Sequence, residues 1–226
     1  VGLLKIDLLG LKTLSIINRC IELTKKDPDE IEIKMNEVDD KNVYENIFKK
    51  GDTLGVFQFE SPGMINYLID LEPSIIDDIS AMNALYRPGP ITSKLVEKFI
   101  DRKHGDERVE FKDQRLENIL KDTYGLMIMQ EDCMNISTVL AGFSPIESDN
   151  LRRAIGKKDL KKMQDIKSKF IQGCINNRVP EKVANEIFQE MEAFADYGFC
   201  KSHSIAYAIL AYQCAWLKNY YLTEFI

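Results

Sequence analysis

Histidine, tryptophan and paired cysteine are scarce in this sequence: its 226 residues contain two His, one Trp and five Cys, and no two cysteines form a CxxC pair. A zinc cluster needs Cys or His ligands at short spacings and a disulfide framework needs many cysteines in a small chain, so neither is indicated. Unpaired thiols at positions 20, 133, 174, 200 and 214 fit a reducing cytoplasm. Long apolar runs are missing too. Nothing approaches the roughly 20 residues that span a bilayer, and the charge-poor stretch 205–217 is too short and too rich in alanine, which sets the membrane aside. The sequence holds no Walker-type loop, GxSxG elbow or HExxH pair, and no internal repeat or low-complexity linker. Positive charge is in deficit: a net charge of −6 argues against a surface that binds nucleic acid everywhere, because neutralising phosphates takes Lys and Arg.

What is present is enough to fold. With 45% hydrophobic residues, a chain of this length can bury a substantial core in one large or two smaller domains. It opens at Val1 directly on an apolar-rich segment, and we expect a piece of a longer polypeptide. Leu4, Ile6 and Leu8 alternate with Lys5 and Asp7, the pattern of a strand that shows an ammonium and a carboxylate on one face. Most of the remainder carries helical spacing. Thr13–Lys26 reads as an amphipathic helix with Leu14, Ile17 and Ile21 on one stripe, while Asp27–Lys41 reads as a loop before a short helix ending at Gly51. Ser61-Pro62 has the N-cap and N1-proline signature, and Ser74 suits the cap of a helix that must stop near Tyr86, before a fixed Arg87-Pro88-Gly89-Pro90 turn. Ser144-Pro145-Ile146-Glu147 is a capping box opening a helix to about Gly156, and a second helix behind Asp159 turns Met163, Ile166 and Phe170 inward. Further helices are expected over Pro180–Gly198 and, apolar nearly all round and hence buried, over Ser204–Tyr221. The fold class is therefore mainly α with a short N-terminal strand and few others.

Three groups of residues suit chemistry. Asp7 beside Lys5 fits a carboxylate that holds a divalent cation next to a lysine that meets a phosphate, although a surface strand often carries such a pair only to solvate one face. Lys201, Ser202 and His203 stand just before the last expected helix, where free N–H groups favour an anion; a simple N-cap at Ser202 or Ser204 explains the same pattern. Arg152 and Arg153 could fork a triphosphate or offset a helix dipole. From Arg152 to Lys169 there are eight basic residues against two acidic ones. His104 reads as a helix-end residue, and Trp216 with the tyrosines at 207, 212, 220 and 221 as packing residues.

The blocks GLLKIDLLGLKTLSIIN, GVFQFESPGM, ALYRPGP, FIDRKHG, TYGLMIMQEDCM, LRRAIGKK and YGFCKSHSIAYA, followed by YQCAWLKNYYLTEFI, occur in an order that resembles the palm end and fingers of the C-family bacterial replicative DNA polymerases, the DNA polymerase III α family, in its DnaE branch. The resemblance implies residues 1–11 as the last palm strand and 12–226 as the fingers. It implies Asp7 as the third of three catalytic aspartates holding two magnesium ions (Mg2+), with Lys5 contacting the incoming triphosphate. Arg152 and Arg153 match the pair that grips that triphosphate, and Lys201, Ser202 and His203 match the block facing the nucleotide, with His203 near the sugar. Position 200 is Cys where many relatives have Asn. The implied function is template-directed nucleotidyl transfer to a primer 3′-hydroxyl, with primer–template DNA and deoxynucleoside triphosphates as substrates, other replisome subunits bound through regions outside this chain, no membrane, and a cytoplasmic, nucleoid-associated location. Because the first two aspartates do not precede Asp7, the chain alone is expected to be inactive. The competing expectation is a non-catalytic helical module that binds DNA backbone or a protein through its Arg152–Lys169 face.

Overall fold

The structure, a computed structural model, describes residues 10–157, 160–195 and 197–226. Among these residues there are fourteen α-helices and no strand, only one isolated parallel bridge between Met129 and Phe199. The mainly α expectation holds, while the strand expected at Leu4–Leu8, with Lys5 and Asp7, lies outside the described residues. In chain order the helices are α1 (Lys12–Thr24), α2 (Pro28–Met35), α3 (Lys41–Val43, continuing into a π turn), α4 (Pro62–Leu71), α5 (Ile76–Leu85), α6 (Pro88–Thr92) and α7 (Leu95–His104). There follow α8 (Glu117–Leu120), α9 (Gln130–Ala141), α10 (Pro145–Lys157), α11 (Leu160–Asn176), α12 (Glu181–Phe194), α13 (Lys201–Tyr220) and α14 (Leu222–Phe225). The described residues form two compact units: one takes those up to Ile75 together with Ile209–Ile226, and the other those within Ile76–Ala208.

The first unit is organised around aromatic rings. Tyr44 and Tyr212 lie 5.5 Å apart and Phe48 meets Phe59 edge-on at 6.0 Å, all four rings fully buried. Tyr212 is the only one of the four that comes from α13, which enters this unit with its second half buried, as its apolar composition predicts. Lys218, 6% exposed on the same helix, is kept soluble by three acceptors: the Asp52 carboxylate at 2.6 Å and the carbonyls of Asp52 and Leu54 at 2.9 and 3.2 Å. On α1, Ile17 and Ile21 are buried with Cys20, but Leu14 is half exposed, so the inward stripe is narrower than its spacing suggests. The loop expected over Asp27–Lys41 is largely α2. Asp27 accepts a hydrogen bond from the Asp29 amide at 3.0 Å with Pro28 at N1, the same start signal that opens α4 at Ser61-Pro62, here obscured by a run of charged residues.

In the second unit α9 to α12 pack on one another around Leu140, Phe143, Leu151, Phe170, Phe188 and Phe194. The capping box at α10 is present: the Glu147 carboxylate accepts from the Ser144 amide at 2.8 Å, and Ser144 Oγ accepts from the Glu147 amide at 3.4 Å. Gly173 lets α11 close onto the end of α9, because a Cβ there would collide with the Ala141 carbonyl oxygen and lie 3.1 Å from its Cα. Three expectations need correction. Arg87-Pro88-Gly89-Pro90 is not a plain turn: Arg87 is the extended N-cap of α6 and Pro88 its N1 residue, so the fixed φ of proline starts a helix instead of only ending one. The helix expected to reach Gly198 stops at Phe194. The last helix starts three residues before Ser204, at Lys201.

Candidate functional site

That early start of α13 decides the setting of the Lys-Ser-His block. Glu131, in the first turn of α9, reaches across and accepts a hydrogen bond from the Lys201 amide at 2.9 Å, with Cys200 Sγ at 3.6 Å from its other oxygen. A carboxylate from another helix thus caps α13, and no serine is needed as its N-cap. Ser204, free of that task, sends its hydroxyl to the Ser80 carbonyl at 2.6 Å and is buried. Lys201, Ser202 and His203 therefore form the exposed first turn of α13 and do not precede it.

Neighbouring residues of α9 hold the approach to this turn. The Gln130 amide donates to the Phe199 carbonyl at 2.7 Å beside the Met129–Phe199 bridge. Asp132, 6% exposed, accepts from the amides of Ile128 and Met129 at 3.0 and 2.8 Å. Burial pushes its carboxyl up to about 6, against the pull of those two amides and of Lys201. On the other side Arg87 donates to the carbonyls of Tyr197 and, at 2.9 Å, Ala84, and its guanidinium lies 4.4 Å from the centre of the Phe199 ring. Phe199 in turn meets His203 edge-on at 5.4 Å, and His203 lies 4.0 Å from Tyr207, one turn further along α13. The conformation of the block is thus fixed by partners on α5, α6 and α9.

Arg152 and Arg153 sit on α10, both held by one carboxylate: Asp149 meets Arg152 Nη2 and Arg153 Nε at 2.7 Å each. This is the i, i+3 and i, i+4 pairing that helix geometry allows, and it holds the Asp149 carboxyl below its ordinary range, with the Arg152 hydrogen bond first among the causes. The same hairpin shows how the arginines relate to the α13 turn. Ser148 Oγ lies 2.9 Å from Ser137 Oγ and 3.0 Å from Thr138 Oγ1 across the α9–α10 contact, and the connection 142–144 makes the two helices antiparallel. Moving on from Ser148 to Arg152 and back from Ser137 to Cys133 is about 6 Å along each axis, at about 1.5 Å per residue. Arg152 and Arg153 therefore lie at the end of the hairpin where Glu131 holds the first turn of α13. Arg152, Arg153, Lys201, Ser202 and His203 all belong to the second compact unit; Lys5 and Asp7 lie outside the described residues.

The wider basic run is less available than its composition suggests. Lys167 pairs with Glu192 at 3.4 Å and Lys169 with Glu147, in addition to the two arginines on Asp149. Among the described residues no group of three or more His, Cys, Asp or Glu could hold a metal ion. No helix among them is long and apolar enough to cross a membrane.

Residues 13–178 match the family described as the bacterial DNA polymerase III alpha subunit finger domain. The chain belongs to that family. The finger-domain match covers α1 through α11, hence Arg152 and Arg153, and the similarity to whole relatives continues through the α13 block. The chain is 46% identical to the DNA polymerase III subunit alpha of Aquifex aeolicus over 99% of its own length, which is 19% of that protein. It is 44% identical to the subunit of Campylobacter jejuni, covering 100% of this chain and 19% of that one. For Buchnera aphidicola from Acyrthosiphon pisum the figures are 42%, 100% and 20%. The chain thus spans about a fifth of the length of the curated relatives it matches, and corresponds to the finger-domain part of DNA polymerase III alpha. Glu131, Asp149 and the role of Arg87 were not foreseen. Asp149 was legible, three and four residues before the two arginines; Glu131 acts on a residue 70 positions away and left no local signal.

Proposed function

We propose that this chain supplies the nucleotide grip of a template-directed DNA polymerase, with residues 1–11 completing the palm and 12–226 forming the fingers. Arg152 and Arg153 bind oxygens of the incoming deoxynucleoside triphosphate, and the first turn of α13, with Lys201, Ser202 and His203, faces the same nucleotide. What supports this reading is the α9–α10 hairpin: its short connection at 142–144 and the Ser148 contacts with Ser137 and Thr138 set the arginine pair toward the same end of the hairpin as Glu131, which caps the first turn of α13. In the transfer step the primer 3′-hydroxyl oxygen attacks the α-phosphorus and pyrophosphate leaves; the guanidiniums offset charge that builds on the leaving group. Asp149 keeps the two guanidiniums oriented before the nucleotide arrives. Arg87 and Glu131 keep the Lys-Ser-His turn in place, so that its donors need no reorganisation on binding.

Asp7 and Lys5 belong to the same reading. Asp7 would contribute a carboxylate to the magnesium ions of the full palm, and Lys5 would meet the triphosphate from the palm side. Primer–template DNA and the other replisome subunits are the partners of the longer protein, at work in the cytoplasm. In a full-length polymerase carrying this segment, Arg152→Ala is expected to lower kcat/KM for nucleotide about ten- to a hundredfold, the equivalent of one charged hydrogen bond. Unchanged kinetics would remove Arg152 from the grip. Asp7→Asn is expected to abolish extension, whereas a helical module that only binds DNA or protein would not feel it.

A further inference from the structure

The second unit contains a cavity of about 430 Å³ between α7, α8 and the end of α12, lined on one side by the connection that follows α7. Its floor is apolar: Leu116, Leu120, Leu126 and Phe194 are buried, and Phe111 and Met127 stand half-buried beside them. The rings of Phe194 and Tyr197 meet edge-on at 5.5 Å in its wall. The volume falls in the range of about 300–1,000 Å³ typical of small-molecule sites, which are mostly apolar with a few polar groups. Each charged residue of the lining has an opposite charge close by. Glu107 meets Arg102 at 2.9 Å and Lys98 at 3.5 Å, Lys112 meets Glu190 at 2.9 Å, and Glu110 lies 3.9 Å from Arg108. Arg102 also donates to the Tyr124 carbonyl at 2.9 Å. An ionised ligand would have to break one of these pairs or carry an unanswered charge over the apolar floor, and both oppose binding. The lining therefore selects an uncharged molecule, and its rings with the adaptable Met127 suit an aromatic one.

We propose that this cavity is a regulatory site, which binds an uncharged aromatic small molecule and acts through Tyr197 on the first turn of α13. Tyr197 belongs to both places: its side chain lines the cavity, and its carbonyl accepts from Arg87, whose guanidinium covers Phe199. Phe194 makes a second link. A Cβ on Gly198 would lie 2.8 Å from the Phe194 ring, so a ring displaced by a ligand presses on the backbone that leads into Lys201. None of the residues assigned to the nucleotide grip lines the cavity, and the inference stands or falls without a nucleotide.

The test titrates this chain with N-phenyl-1-naphthylamine, an uncharged two-ring fluorophore that brightens in apolar surroundings, and with its sulfonated analogue 8-anilinonaphthalene-1-sulfonate. Ala193→Phe places a ring in the mouth of the cavity from an exposed position of α12, and Gln189→Phe adds the same ring on that helix outside the cavity. Circular dichroism first shows all three proteins equally folded. The uncharged probe is expected to saturate the parent and the Gln189→Phe control alike, and to bind Ala193→Phe roughly tenfold more weakly. The sulfonate is expected to bind the parent at least about tenfold more weakly than the uncharged probe. At saturation with the uncharged probe, amide resonances at 197–203 are expected to shift. Binding that survives Ala193→Phe would put the probe elsewhere, tighter binding of the sulfonate would make the cavity an anion site, and silent amides at 197–203 would break the link to α13; each result overturns the proposal. The fluorescence titration is repeated on a full-length polymerase carrying this segment, where the same sensitivity to Ala193→Phe is expected. Binding by the isolated chain alone would mean that the rest of the longer protein covers the cavity, and would overturn the proposal as well.

Discussion

Asp132 is the buried acid whose ionisation the fold resists. Its carboxyl is raised from the usual 3.8 to about 6, so between those values the unfolded chain gives up the proton while the folded one keeps it. Stability attributable to this residue is therefore full below about pH 4, falls as pH rises through that window, and stays lower above it. Asp132→Asn keeps an acceptor for the two amides and removes the charge. It is expected to be more stable than the parent at pH 8, by roughly 1 to 3 kcal/mol, and equal to it at pH 4, as read by urea denaturation at both values. A variant less stable at pH 8 would show that the charge, through Lys201, contributes more than its burial costs. Arg87→Ala is expected to cost about 2 kcal/mol, since it removes charged hydrogen bonds to two carbonyls and the contact with Phe199. Amide shifts over 197–203 should move with it, and a silent spectrum there would detach Arg87 from the block.

At the scale of elements, starts and stops explain both what the sequence disclosed and what it hid. The α10 capping box and the Ser61-Pro62 cap of α4 were legible because each is closed by residues within one turn. Ser144→Ala is expected to destabilise the chain by about 1 kcal/mol on thermal or chemical unfolding. The start of α13 was placed three residues late because its cap, Glu131, comes from α9, a partner that no local pattern indicates. The inward residues Met163 and Phe170 of α11 followed from spacing alone. What spacing could not give was Gly173, an ordinary mid-helix glycine by sequence, whose missing side chain sets the approach of α11 to α9. Gly173→Ala should stabilise an isolated helix but is expected to cost this chain 3 kcal/mol or more, on the order of an overpacked core.

For the whole molecule, the sequence contained more of the identity than of the geometry. The ordered blocks were enough to point to the polymerase family, and the finger-domain match over residues 13–178 bears that out. The division into two compact units, with α13 shared between them, was not legible, because long-range packing decides it. Of the candidate site, Arg152, Arg153 and the Lys-Ser-His block were named from sequence; Asp149, three and four residues before the arginines, was equally legible, whereas Glu131 and Arg87 act through tertiary contacts that no local pattern shows. The central claim is that the arginine pair and the first turn of α13 form one nucleotide grip. Its most direct test is a two-dimensional amide NMR titration of this chain with a deoxynucleoside triphosphate, repeated on the Arg152→Ala, Arg153→Ala double variant. Shifts clustered at 152–157 and 198–204 that vanish in the variant are the predicted result; shifts that spare either segment, or that persist without the arginines, would contradict it.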